Sequence, residues 1–242
     1  MNLLIIQARM GSTRLPGKVL YPLATDGTTV LEHLLQRVAQ CKHVDRVVVA
    51  TTDSPLDDPI ADLCLRWATC SHRGPEEDVL TRYVQAAKRF GAHEESCIIR
   101  ITADCPFTDP QLIDDAILTF HRTNSRYLSN TSARTFPKGF DFELFPFSAL
   151  VEADDHIIDE PCAAREHVTP MIRTYQGYPR DLVKNSHNVS YVTPCGGDYS
   201  NLRCTLDTPE DYVQLRRALR RMTDPIGYTW RELTYAMEEV RS

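Results

Sequence analysis

The chain has 242 residues, 42% hydrophobic and 25% charged, with 27 Lys and Arg against 33 Asp and Glu for a net charge of −6. That length buries a sizeable core, and the composition is ordinary for a globular protein. The acidic balance argues against a long nucleic-acid backbone as partner, while a local positive cluster still suits a small polyanion such as a nucleoside triphosphate.

Residues 3–7 form a short apolar strand with no basic stretch before it, so neither a signal peptide nor a membrane span is expected, and the expected location is the cytoplasm. A loop rich in Gly, Arg and Lys follows. Thr29 and Glu32 form a capping box that opens a helix with Leu31, Leu34, Leu35 and Val38 on one face. Residues 47–51, with three consecutive valines, read as a second strand buried on both faces. Asp58-Pro59 starts a helix carrying the stripe Ile60, Leu63, Cys64 and Trp67, and a further helix carries Leu80, Tyr83, Val84 and Ala87. Residues 97–101 are the third expected strand, and Asp109-Pro110 opens the next helix. Strands alternating with helices at this spacing predict a mostly parallel α/β sheet covered on both faces.

From about residue 125 to 199 the periodicity is broken by Phe136-Pro137, Phe145-Pro146, Glu160-Pro161, Tyr178-Pro179 and Thr193-Pro194. Regular structure returns with a strand over 203–206 and a helix capped by Thr208, with Pro209 at its first position. Thr229 and Glu232 begin the last helix. Without repeats or linkers, the expectation is one domain over 1–242, with a nucleotide-binding half of about 1–124 and an acceptor-binding half of about 125–242. Eight scattered cysteines with no CxxC pair point to reduced thiols; Cys105 stands out because it adjoins Asp104.

Three segments carry the chemistry. Gln7-Ala8-Arg9-Met10-Gly11-Ser12-Thr13-Arg14-Leu15-Pro16-Gly17-Lys18 follows the first strand, where an α/β sheet presents its ligands. Gln7, Ala8, Met10, Gly11 and Ser12 allow backbone N–H groups to approach phosphate oxygens, and Arg9, Arg14 and Lys18 add three cations within ten residues. The loop is neither a Walker A motif nor a dinucleotide fingerprint. Asp104 ends the strand of the second segment, Ile101 to Pro106, and Asp207 ends that of the third, Thr205 to Asp211. Two carboxylates projecting from strand ends toward a phosphate loop suit Mg²⁺, which takes one or two protein carboxylates and fills its octahedron with phosphates and waters. The competing role for each aspartate is to cap the following helix, but Thr208 offers itself as cap beside Asp207.

QARMGSTRLPGK, RITADCP and TLDTPED together resemble the spore-coat-polysaccharide cytidylyltransferase family, which is related to the synthetases that activate ulosonic and nonulosonic acids as CMP-sugars. The resemblance also runs through VVVATTD, RGPEEDVLTRY, FPKGFDFELF and REHVTP, nearly the whole chain. It implies a Rossmann-like three-layer α/β/α nucleotidyltransferase fold and transfer of CMP from CTP to a small anionic acceptor, with pyrophosphate released. It further implies Arg9, Arg14 and Lys18 on the triphosphate and Asp104 and Asp207 on Mg²⁺. The segments 50–53 and 73–78, with Thr51, Asp53, Arg73, Gly74 and Asp78, would enclose the base. Dimers are common among the CMP-sugar synthetases, so a homodimer is compatible with the resemblance.

On the acceptor side stand Tyr127, Asn130, Arg134, Lys138, Asp141, Glu143, Arg165, Glu166 and His167. Arg134, Lys138, Arg165 and His167 form a positive pocket for a carboxylate or phosphate, or else are solvated surface residues; both readings stand. Asp141 and Glu143, two apart, would share one face of a strand and bind sugar hydroxyls or a second Mg²⁺. Two rivals remain. One is a sugar-1-phosphate nucleotidyltransferase using GTP, UTP or ATP. The other, of a different class, is a catalytically inactive nucleotide-binding protein, for which two intact metal carboxylates would be superfluous.

Overall fold

Four parallel strands form one side of the sheet at the centre of the molecule. The computed structural model describes residues 1–132, 134–156, 163–174 and 197–241. Within them β1 (Asn2–Gln7), β2 (Arg46–Thr52), β3 (Cys70–Gly74) and β4 (Cys97–Thr102) pair in parallel. β5 (Leu128–Ser129) and β6 (Glu143–Pro146) extend the sheet beyond β4 in antiparallel fashion, giving the order β3-β2-β1-β4-β6-β5. Glu160-Pro161, Tyr178-Pro179, Thr193-Pro194, Cys162 and Cys195 lie outside the described residues.

The apolar runs of β1 and β4 are buried on both faces because helices cover both. Leu4, Ile6, Ile99 and Ile101 face one layer with α1 (Val30–Val38), α2 (Asp58–Arg66), α4 (Pro110–Thr123), α8 (Pro209–Leu219) and α9 (Trp230–Arg241). Leu3, Ile5 and Ile98 face the other, with α3 (Val79–Arg89), α5 (Phe147–His156) and α7 (Pro170–Thr174). The short helix α6 (Ala163–His167) precedes α7. Alternation along a strand sorts its residues between these layers. No described helix is long and apolar enough to cross a membrane.

The anticipated caps are present. Thr29 and Glu32 form a capping box on α1, Thr208 and Asp211 form another on α8, and Asp109 caps α4. Asp109 also accepts a hydrogen bond from the Trp230 backbone N–H at 2.6 Å, which ties α4 to the last helix.

Two strand assignments differ from expectation. Cys70–Gly74 (CSHRG) is a strand that hydrophobic periodicity misses, because it is polar and lies at the sheet edge, where only one neighbour must be satisfied. The strand 97–101 is therefore the fourth in chain order. Conversely, 203–206 forms no strand of the sheet; it makes a single bridge, Arg203 to Lys138, and is held by the loop before β6.

Cys204 N–H donates to the Lys138 carbonyl at 2.6 Å, and Lys138 N–H donates to the Leu202 carbonyl at 3.0 Å. This contact requires Gly139: its φ is +116°, and a Cβ there would lie 2.5 Å from the Cys204 carbonyl carbon. Gly139→Ala is expected to destabilise the protein by more than about 1 kcal/mol, because strain at positive φ adds to a backbone clash. Urea unfolding checks this, and an unchanged midpoint would contradict the fit.

Candidate active site

The carboxyl ends of β1 and β4 are neighbours in the sheet, and the loop that leaves β1 folds back over them. Its course is set by backbone bonds: Ser12 N–H and Gly17 N–H both donate to the Met10 carbonyl, at 2.8 and 2.9 Å. Met10 N–H in turn donates to Asp57 Oδ1 at 2.7 Å. Buried Asp57 also accepts from Thr51 and Thr52, so it pins the loop to the end of β2. Gly17 takes the left-handed conformation, φ +70°, which turns the chain into the short 3₁₀ turn that begins at Lys18.

Lys18 is 8% exposed and its ammonium is shared. It donates to Asp104 Oδ2 at 3.2 Å, to Asp207 Oδ1 at 2.9 Å and to the Leu206 carbonyl at 2.6 Å. The two aspartates are brought together by a backbone bond from Leu206 N–H to the Asp104 carbonyl, 2.8 Å. Each carboxylate has one oxygen anchored and one turned to the ammonium. Thr102 Oγ1 donates to Asp104 Oδ1 at 2.5 Å, and Arg203 donates to Asp207 Oδ2 at 2.6 Å.

Arg203 is itself held by Asp211, whose carboxylate also caps α8. Thr208 provides the side-chain cap, leaving Asp207 free of that role. Burial pushes the Asp207 carboxyl up, but Lys18, Arg203 and Arg14 together hold it below its ordinary range. The Arg14 guanidinium lies 3.2 Å from Asp207 and is largely exposed.

These residues surround a cavity of about 260 Å³. Gln7, Ala8, Arg9, Gly11, Ser12, Arg14 and Lys18 line it together with Asp104 and Asp207, so three segments far apart in sequence meet at one sheet edge. Thr102 and Ala103 also line it. Met10 is not on the wall; its side chain packs at Gly17. Cys105 is buried beside Asp104, and burial followed by the Asp104 charge pushes its thiol well up, which suits packing rather than nucleophilic attack. Among the described residues no group of three or more His, Cys, Asp and Glu side chains is arranged to hold a metal.

The second set of expected nucleotide residues does not line this cavity, although Glu76 of the same segment lies 3.7 Å from Arg9 of the loop. Thr51 is buried on Asp57. Arg73 bonds the Thr52 and Ser54 carbonyls and Asp58, Asp53 N–H donates to the Gly74 carbonyl, and Asp78 caps α3.

The acceptor-side residues are not one pocket of free charges. Arg134 forms a two-pronged pair with Asp141, at 2.6 and 2.8 Å. Arg165 bridges Asp78 and Asp154. Lys138 and His167, like Glu166, are exposed. Both ends of the Asn130 amide are occupied by the Phe140 carbonyl and the Phe142 N–H. Asp141 and Glu143 do not act on a common face: Asp141 precedes β6, while Glu143 is buried with Arg100, Tyr127 and Thr169.

Sequence reasoning missed Asp57, Arg100 and Arg203, and it placed Asp211 only at the helix start, not as the partner of Arg203. Arg100 alone left a signal, a charge set among Ile98, Ile99 and Ile101 in an interior strand.

A cytidylyltransferase family model matches residues 3–189. The spore coat polysaccharide biosynthesis protein SpsF of Bacillus subtilis is 36% identical over 88% of this chain and 84% of its own length. A 3-deoxy-manno-octulosonate cytidylyltransferase of Geobacter sulfurreducens is 34% identical over 47% of this chain and 42% of its own. Among solved structures, a cytidylyltransferase from Leptospira borgpetersenii serovar Hardjo-bovis superposes with a TM-score of 0.82 at 31% identity, covering 99% of this chain and 94% of that one.

Proposed function

Since the chain belongs to the cytidylyltransferase family, we propose that it moves the cytidylyl group of CTP onto a small anionic acceptor, releases pyrophosphate, and holds Mg²⁺ between Asp104 and Asp207. The observation that carries this reading is the convergence of Lys18 and Arg14 on two carboxylates at the carboxyl edge of a parallel sheet, in one cavity with the glycine-containing loop.

The carboxylates fit a hard divalent ion. Asp104 Oδ2 and Asp207 Oδ1 converge on one cation, the Lys18 ammonium, which would turn to the phosphates when the ion takes its place, and each carboxylate is fixed from behind by a hydrogen bond to its other oxygen. Two carboxylates, with the remaining positions left to phosphate and water, is the usual protein share of a Mg²⁺ site. Bound there, the ion would neutralise phosphate charge.

In the reaction an acceptor oxygen forms a bond to the α-phosphorus of CTP, the bond to the bridging oxygen breaks, and pyrophosphate departs with the electron pair. The protein's share is positioning and charge stabilisation. Arg9, Arg14 and Lys18 hold the triphosphate, and N–H groups of the 8–14 loop approach its oxygens. Lys18 and Arg14 stabilise the charge gathering on the α-phosphate and leaving group. The acid named in the octulosonate relative supports an anionic acceptor.

Thermal melting with CTP, UTP, GTP and ATP, each with and without Mg²⁺, tests the reading. Ligand binding to the folded state raises the melting temperature with occupancy, by about 2.7 kcal/mol of stability at a hundredfold excess over Kd. The largest shift is expected for CTP with Mg²⁺. Equal shifts for all four nucleotides, or none, would refute the assignment.

A further inference from the structure

Arg100 is a half-buried charge in β4, its side chain 16% exposed, and its contacts orient a residue of the cavity wall. Gln7 and Arg100 lie on the same face of adjacent strands, diagonal to each other in the register that pairs Ile5 with Arg100 and Gln7 with Thr102. Arg100 spends one guanidinium nitrogen on Glu143 Oε2 at 2.6 Å and the other on Gln7 Oε1 at 3.2 Å. Its Nε is buried with no hydrogen-bond partner among the described residues. The remaining Glu143 oxygen accepts from Tyr127 at 2.5 Å and Thr169 at 2.7 Å, so most of the carboxylate's acceptor sites, about four in all, are taken by the protein itself. Such a buried pair is a weak source of stability compared with apolar packing, which leaves orientation as its gain.

That orientation follows from chemistry. A guanidinium only donates, so the Gln7 carbonyl oxygen must face it and the amide NH₂ must point the other way. Gln7 lines the cavity, and its Nε2 has no hydrogen-bond partner among the described residues. We infer that Gln7 donates its amide N–H to a phosphate oxygen of the bound nucleotide, and that Arg100, clamped by Glu143, is the positioning residue that fixes this amide. The inference rests on the cytidylyltransferase reading and gives Glu143 a supporting role in place of contact with the acceptor.

Calorimetric titration of CTP, with Mg²⁺ present, into the wild type, Gln7→Leu, Arg100→Lys and the double variant tests it. One lost hydrogen bond to a charged oxygen predicts an affinity roughly tenfold weaker for Gln7→Leu. Arg100→Lys keeps the charge opposite Glu143 but loses the two-pronged geometry, so a similar loss is expected. In the double variant the two losses do not multiply, since both remove the same contact. A purely structural Arg100 would give independent losses that multiply, and this result, or wild-type affinity in Gln7→Leu, would overturn the inference. Should Arg100→Lys fail to fold, Gln7→Glu retains the contact with Arg100 while removing the N–H donor and adding a negative charge beside the phosphates, and must weaken binding more than Gln7→Leu. A wild type that binds no CTP would instead overturn the underlying reading, and the inference with it.

Discussion

Lys18→Ala is expected to lower turnover about 10²–10³-fold, the usual cost of removing one donor aimed at charge that develops in the transition state. The expectation rests on position: the ammonium lies between Asp104 and Asp207 in the cavity wall, on the loop that also carries Arg9 and Arg14. Pyrophosphate release in the presence of an identified acceptor measures it. The substitution also leaves two carboxylates facing each other without their shared cation, so the melting temperature should fall as well. Added Mg²⁺ should restore part of that fall, because a cation between the carboxylates replaces the lost charge. Full turnover in Lys18→Ala would remove Lys18 from the catalytic role.

Glu143→Gln is expected to destabilise the fold by about 3–5 kcal/mol, the cost of leaving one partner of a buried ion pair uncompensated. Glu143 is 7% exposed, and its loss strands the Arg100 guanidinium beside the second core layer. The pH dependence gives an independent check. Burial pushes the Glu143 carboxyl up, but the Arg100 charge and the hydrogen bonds from Tyr127 and Thr169 outweigh it and hold the group below the ordinary 4.5. A carboxylate depressed in this way contributes stability that is present above its unfolded-state value and lost as pH falls through the folded one. The wild type should therefore lose stability on acidification below about pH 4.5 that Glu143→Gln does not lose, because the variant has no proton to take up there. Denaturant unfolding at several pH values reads both effects. Parallel pH profiles for the two proteins would show that this pair does not contribute as described.

The capping boxes at Thr29 and Thr208 and the strands over Leu3 and Val48 were legible in the chain because they are local. Capping needs particular residues three apart, and a strand covered on both faces needs an unbroken apolar run. The loop after the first strand was legible for a similar reason, since its glycines and cations fall within one short segment that follows a strand. From these the α/β class and the family resemblance followed without coordinates.

What the tertiary structure decided is how charges pair across long separations. Nothing near Arg134 or Arg165 in sequence states that Asp141 neutralises the one, or that Asp78 and Asp154 neutralise the other, so two of the four cations for which a pocket and a solvated surface both stood open are engaged in ion pairs. The edge strand Cys70–Gly74 was hidden because an edge satisfies hydrogen bonds on one side only and needs no apolar run. Asp104 and Asp207 could each be named from their segments. Their convergence on Lys18 depends on a backbone bond between Leu206 and Asp104, and side-chain composition carries no trace of that bond.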